Sequence, residues 1–286
     1  MDLGLDERVC IVTGASRGVG KGVALGLLEA GATVHASGRT QTEGSHPLGR
    51  PGSLDTLAAE TRGLPGRLIT HRVDHANDSE TEALVADVIA SEGRLDILVN
   101  NAWPGYERMS EEVPEGRNPF TWVDPIWDQP MWRWDAMIGV GARAAYCASR
   151  VASKQMVDQR SGLIVNISFW SAQKFIGNVA YGISKAIADK MAADLAWQLR
   201  EFNVAAVSLY PGLTRTEDIL KYAEFIDLTN SESPQFSGRA VAGLAADPKL
   251  MEKSGKVQVV ADLALEYGFT DIDGKQPIPL TFETAY

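Results

Sequence analysis

"RVCIVTGASRGVG", residues 8–20, decides how the rest of the chain reads. A run of β-branched and apolar residues, RVCIVT (8–13), passes straight into a turn holding Gly14, Gly18 and Gly20 and then into a helical pattern. A short segment apolar on both faces is expected in the middle of a parallel sheet. Glycines after it let the backbone turn tightly and come close to a diphosphate, whose charge then rests on free N–H groups at the helix N-terminus. The spacing is not that of the G-x-G-x-x-G fingerprint. Glycines that merely pack a helix on a sheet would look similar; position directly after the first strand favours nucleotide binding.

The same texture recurs at ATVHAS (32–37), RLITHRV (67–73), LDILVN (95–100), GLIVNIS (162–168), VAAVSL (204–209) and KVQVV (256–260). Helix patterns lie between these runs. In 79–92 the apolar positions are Leu84, Val85, Val88 and Ile89, with Asn77, Asp78 or Ser79 available as the cap. Alternating strands and helices predict an α/β fold, a doubly wound and mostly parallel sheet with helices on both faces. With no internal repeat or linker, residues 1–286 read as one domain. Residues 40–53 lengthen the connection after the second strand. Residues 103–134 form an aromatic-rich insertion carrying Trp103, Trp122, Trp127, Trp132 and Trp134. Such a connection is more often a lid or contact surface than free coil.

Composition narrows the function. The 286 residues carry a formal charge of −10 and are 45% hydrophobic, which argues against nucleic acid or anionic membranes as main partners. No stretch is long and apolar enough for a membrane span, and the start lacks a signal-peptide pattern. Cys10 and Cys147 make no disulfide framework or metal cluster, which suits a cytoplasmic location. His35, His46, His71 and His75 show no zinc-like spacing, so no metal is expected.

The chain resembles the short-chain dehydrogenase/reductase family. The resemblance runs over about 7–215 and rests on TGASRGVG (13–20), VDH after the third strand, NNA (100–102), Ser168 after the fifth strand, YGISK (181–185) and PGLTRT (211–216). Each falls at a strand C-terminus or the helix it leads into, where open α/β sheets bind ligands. The segment NNAWPGY and the tail YGFTDIDG look most like the branch of family-member-1-type dehydrogenase/reductases. The resemblance implies a Rossmann-type fold and a dinucleotide cofactor. It places Gly14, Ser16, Arg17, Gly18, Val19 and Gly20 at the phosphates, Asp74 and His75 at the adenine, and Asn100 and Ala102 along the cleft. Pro211, Gly212, Thr214 and Thr216 fall at the nicotinamide side. An NAD-preferring member would end its second strand on an acid that bonds the ribose. Here Gly38 stands there with Arg39 beside it, and Arg17 sits in the glycine loop. Two guanidinium groups suit a 2′-phosphate, so NADP(H) is favoured and NAD(H) is the alternative.

Catalysis is expected from Ser168, Tyr181 and Lys185. Tyr181 and Lys185, four apart on a helix, share one face. A phenol with an ordinary pKa near 10 needs positive charge nearby to work at neutral pH. Lys185 supplies it and binds the nicotinamide ribose, while Ser168 orients the substrate oxygen. The implied activity is NADP-dependent hydride transfer between nicotinamide and a carbonyl or secondary alcohol, with Tyr181 as general acid and base. The alternatives are an NAD-linked alcohol dehydrogenase and a catalytically weak dinucleotide-binding relative with a sensor or structural role. Phe169, Trp170, the insertion, and Tyr222 and Phe225 in the substrate-side segment (213–250) suggest an apolar small-molecule substrate. The family implies a homodimer or homotetramer. Two positions depart from its pattern: Gly141 stands where an asparagine is usual, and Trp103 where many members have glycine.

Overall fold

The computed structural model describes residues 3–109, 115 and 120–286. The predicted runs become β1 (Val9–Val12), β2 (Thr33–Gly38), β3 (Arg67–Arg72), β4 (Ile97–Asn100), β5 (Gly162–Ile167), β6 (Val204–Tyr210) and β9 (Val257–Val259). They form one seven-stranded sheet in the order β3-β2-β1-β4-β5-β6-β9. Every pairing in it is parallel. Two short strands, β7 (Leu213–Thr214) and β8 (Ser231–Glu232), pair separately. The helices are α1 (Gly18–Glu29), α2 (Leu54–Glu60), α3 (Asp78–Glu92), α4 (Met131–Trp134), α5 (Arg143–Gln159), α6 (Val179–Leu199), α7 (Glu217–Lys221), α8 (Pro234–Ala246), α9 (Leu250–Lys253) and α10 (Val260–Tyr267). A π-helical stretch, Asp135–Ala142, joins α4 to α5.

Strand side chains alternate between two cores, one on each face. Cys10 and Val12 of β1, with Ala205, Val207 and Leu209 of β6, pack with α1, α8 and α10. Val9, Ile11, Val204 and Ala206 pack with α3, α5 and α6. That is why the runs read as continuously apolar. Each fully buried Val, Leu or Ile contributes about 1.5–3 kcal/mol by leaving water. Small residues set the helix spacing: a β-carbon on Gly22 would lie 2.0 Å from the Pro234 carbonyl carbon, and one on Gly26 would lie 2.5 Å from that of Gly238. Only bare backbone lets α1 and α8 approach so closely. Of the three candidate caps for α3, Asn77 takes the role, its side chain accepting from the Ser79 N–H, and Gly93 at φ 73° ends the helix. The order reverses at β1 and β4, with β2 and β3 to one side and β5, β6 and β9 to the other. The crevice at such a reversal, beyond the strand carboxyl ends, is where the sheet opens a ligand site.

Candidate active site

A cleft of about 460 Å³ lies at that reversal, running from the glycine loop to Tyr181 and Lys185. Gly14 has φ 67°, and a β-carbon on it would sit 2.8 Å from Ala102 Cα. Ser16, Arg17, Gly18 and Val19 line the cleft beside it. No side chain of the N-cap residue closes the N-terminus of α1. The Gly18 N–H donates instead to Glu217 Oε2 at 2.8 Å, so a carboxylate rests on a group suited to a phosphate. Bare glycine backbone at a helix N-terminus fits a dinucleotide diphosphate.

Two residues assigned to the cleft by resemblance play other parts. Gly20 does not line it; a β-carbon there would lie 2.2 Å from Asn101 Nδ2. Its smallness lets the Asn101 amide donate to Thr13 O (2.9 Å) and Gly14 O (3.0 Å), pinning the loop to β4. Asn100 is also directed away. Its amide donates to Ser149 Oγ and Asn166 Oδ1, both at 2.9 Å. Consecutive strand residues leave the backbone on opposite sides, so Asn101, with Ala102, lines the cleft instead. His75 lines it with ring nitrogens committed to Ser37 Oγ (2.8 Å) and Thr81 Oγ1 (3.0 Å). Burial pushes its pKa down to about 4, so it is neutral. Asp74 lines the cleft at the end of β3.

Cations gather where β2 ends on Gly38. Arg17 donates to Thr40 Oγ1 (3.0 Å) and Gly52 O (2.8 Å). Arg39 pairs with Glu107, and Arg50 with Asp218. His46 Nε2 is buried, 3.6 Å from the Glu107 carboxylate. All four side chains line the cleft. Burial, with like charge from its neighbours, lowers the pKa of Arg50 and His46, and Arg17 is lowered in the same way by burial and Arg39. His46 and Arg50 come from the turn-rich 40–53 connection, whose composition carries no sign that it folds back onto the site.

At the chemical end, Asn178 caps α6 through a bond from the Tyr181 N–H to its side chain (3.0 Å), and its amide donates to Trp122 O (2.9 Å). One residue thus fixes the start of the helix and ties the insertion to it. Tyr181 and Lys185 are buried side by side, the ammonium 5.8 Å from the phenol ring centre. Burial pushes the Tyr181 phenol well above its ordinary value, Tyr106 adds to that, and Ser171 opposes it. The same burial brings Lys185 down to about 8. The phenol is therefore protonated at neutral pH. Its oxygen accepts from Tyr106 Oη at 3.2 Å. Ser168 lines the cleft, with its hydroxyl donated to the Lys185 carbonyl at 3.1 Å. No hydrogen bond joins Ser168 to Tyr181 among the described residues.

Trp103, Tyr106, Met109, Trp122, Phe169, Ile176 and Tyr286 give this end apolar walls. Tyr222 and Phe225 do not contribute. α7 stops at Lys221, both rings are exposed, and Ile219 lines the cleft instead. Trp170 packs edge-on against Tyr210 rather than facing substrate, and Trp127 is 81% exposed. Part of the aromatic insertion, 110–114 and 116–119, lies outside the described residues. Asp271, from the YGFTDIDG tail, is buried and bonds Arg215 (3.0 Å) and the Ser233 N–H (2.7 Å). It ties Arg215 to the residue that caps α8.

Comparison with known proteins gives the family. A profile of the family described as short chain dehydrogenase matches residues 8–224. The chain belongs to the short-chain dehydrogenase family. The dehydrogenase/reductase SDR family member 1 of Mus musculus is 37% identical over 98% of this chain and 87% of its own length. Its Homo sapiens counterpart is 36% identical over 95% and 85%. The 7alpha-hydroxysteroid dehydrogenase of Escherichia coli K12 is 28% identical over 76% and 74%. A short chain dehydrogenase structure from Mycobacterium thermoresistibile, 23% identical, superposes with a TM-score of 0.77 over 98% of this chain and 94% of that one, showing the shared fold.

Short-chain dehydrogenases are oxidoreductases that transfer hydride with NAD(P)(H) and act on small molecules. Among the described residues, no helix is long and apolar enough to cross a membrane, and no His, Cys, Asp and Glu cluster could hold a metal. The two departures from the family pattern meet in space. Gly141 lies in the π-helical stretch, where a β-carbon would be 2.3 Å from Trp103 Cδ1. Beside them lies a cavity of about 30 Å³ lined in part by Thr13, Asn100, Trp103, Gly141 and Lys185, about the size of one water. Asn100 Oδ1 and Trp103 Nε1 are buried without partners among the described residues.

Proposed function

We propose that this short-chain dehydrogenase is an NADP-dependent oxidoreductase acting on a carbonyl or secondary alcohol of an apolar small molecule. The observation that carries the reading is the convergence of Arg17, Arg39, Arg50 and His46 where β2 ends on Gly38, in the cleft that also holds Tyr181 and Lys185. Burial first, and like charge after it, lowers the pKa of Arg17, Arg50 and His46, and a dianionic 2′-phosphate would favour their charged forms through charge-assisted hydrogen bonds. When bound, the cofactor supplies hydride exchange at its nicotinamide. The chain's own residues do the rest. Tyr181, protonated at neutral pH, gives its proton to a carbonyl oxygen during reduction and accepts it back in oxidation. Lys185, mostly ammonium below about pH 8, steadies the phenolate left behind. Tyr106 Oη, which donates to the phenol oxygen, stands where a substrate oxygen accepting the Tyr181 proton would sit. Ser168 turns its O–H from the Lys185 carbonyl toward that oxygen. The aromatic walls exclude water and select an apolar substrate.

Glu107 supports the NAD alternative, because a carboxylate between Arg39 and His46 could accept ribose hydroxyls. Titrating the protein with NADPH and NADH, followed by turnover on a panel of apolar ketones and aldehydes, decides between them. The proposal expects tighter NADPH binding and NADPH-dependent reduction. Equal or stronger NADH binding refutes the cofactor assignment, and binding without turnover of any carbonyl favours a sensor role. The exposed apolar side chains Val123, Ile126, Trp127 and Met131 support a homodimer or homotetramer, which sedimentation equilibrium tests directly.

A further inference from the structure

We propose that Trp103 is the positioning residue for Lys185: its indole, seated in space that Gly141 leaves open, holds the ammonium beside Tyr181 where the family pattern would offer an asparagine amide. The inference rests on the reading of Lys185 as the charge that assists Tyr181.

Three observations carry it. Lys185 Nζ lies 4.6 Å from the centre of the Trp103 ring, and Trp103 lies 5.6 Å centre to centre from Tyr181. The indole therefore touches both members of the pair. Conventional anchoring of the ammonium is sparse. It donates to Ile167 O at 3.3 Å, and no salt bridge involves it among the described residues. Asp189 acts on it from further away, and accepts the Tyr210 hydroxyl. Finally, a β-carbon on Gly141 would meet Trp103 Cδ1 at 2.3 Å and Nε1 at 3.2 Å. The indole edge fills the volume that any side chain at 141 would need. The two departures are one exchange, in which an amide on the π-helical stretch is given up for a π face on the β4 loop. A tryptophan face is the strongest of the aromatic faces for a buried cation. Tyr106, stacked edge-on against Trp103 at 4.8 Å, helps to hold the indole in place.

An indole that only filled space would make a different prediction, which two variants separate. Trp103→Phe and Trp103→Leu both shrink the side chain, but only phenylalanine keeps a π face. Lysines are labelled with ¹³C at Cε, the Lys185 signal is assigned by Lys185→Arg, and its titration is followed by NMR in the full-length protein. The expected result is a Lys185 midpoint about one pH unit lower in Trp103→Leu, with Trp103→Phe shifted less than half as far. Equal shifts in the two variants, or none in Trp103→Leu, overturn the proposal. Exchange is tested separately. Gly141→Asn alone should cut NADPH-dependent turnover at least tenfold or fail to fold, and Trp103→Gly/Gly141→Asn should regain most of the loss. No recovery in the double variant contradicts the pairing. The NMR readout needs no turnover. A Tyr181→Phe variant that keeps its activity would therefore end the catalytic reading without touching the Trp103 result.

Discussion

Replacing Arg39 by alanine tests the cofactor reading where the structure allows a magnitude. Arg39 reaches the β2 end of the cleft with its side chain 39% exposed, paired with Glu107. A hydrogen bond to a charged group contributes about 1.5–3 kcal/mol. Water reaching an exposed side chain screens it toward the lower figure, so the loss is about 1.5 kcal/mol, or roughly tenfold in Kd. Arg50, only 14% exposed, should cost more on the same change to alanine. Its removal also leaves the Asp218 carboxylate facing the phosphate unpaired, which works in the same direction. The assay is a fluorescence titration of each variant with NADPH and, as the internal control, NADH. The account expects NADPH binding to weaken about tenfold for Arg39→Ala, and further for Arg50→Ala, while NADH changes little. Parallel weakening of both cofactors would mean that the arginines hold the fold of the loop rather than a phosphate. Unchanged NADPH affinity would refute the argument altogether.

Three other outcomes are expected. Glu217→Gln removes a negative charge from the Gly18 N–H and should tighten NADPH and NADH alike by several-fold in calorimetry; unchanged affinity would show that the carboxylate yields freely. Glu232 is buried with its carboxyl accepting from the Gly212 N–H, and burial raises its pKa from 4.5 to about 8. Its protonated form is favoured by folding. The stability it contributes is complete below pH 4.5 and is lost as pH rises toward 8, at roughly 1.4 kcal/mol per pH unit. Glu232→Gln should flatten that slope in urea melts, and an unchanged slope would assign it to other groups. Gly26→Ala would put a β-carbon 2.5 Å from the Gly238 carbonyl carbon. Overpacking of about 1–3 kcal/mol should lower Tm by several degrees, and an unshifted melt would contradict the close packing of α1 on α8.

How far the sequence could be read followed from which physical signals are local. Strands such as β1 and β6 are apolar on both faces because both faces are covered, and that needs no knowledge of the partners. The Tyr181–Lys185 pair follows from helix geometry alone. Asn100 was harder. At the end of β4 a one-residue shift decides whether an amide faces the cleft or the interior, and the interior bonds to Ser149 and Asn166 decide it. His46 and Arg50 lie in a segment without periodicity, so nothing in their spacing could bring them to the cleft. Trp103 and Gly141 were each legible as departures, but their steric match exists only once the β4 loop and the π-helical stretch are adjacent. Tyr222 and Phe225 carry an apolar signal in the sequence, but both lie beyond the end of α7 with their rings exposed.

The central claim is that the buried Tyr181 phenol passes the proton to and from the reacting oxygen. Single-turnover oxidation of bound NADPH by a reducible apolar ketone, in wild type and in Tyr181→Phe, measures that step most directly. Removing a positioned general acid costs about 10²–10⁴-fold, so the variant should bind NADPH as the wild type does and react at least a hundredfold more slowly. A variant that oxidises NADPH within a few-fold of the wild-type rate would contradict the account.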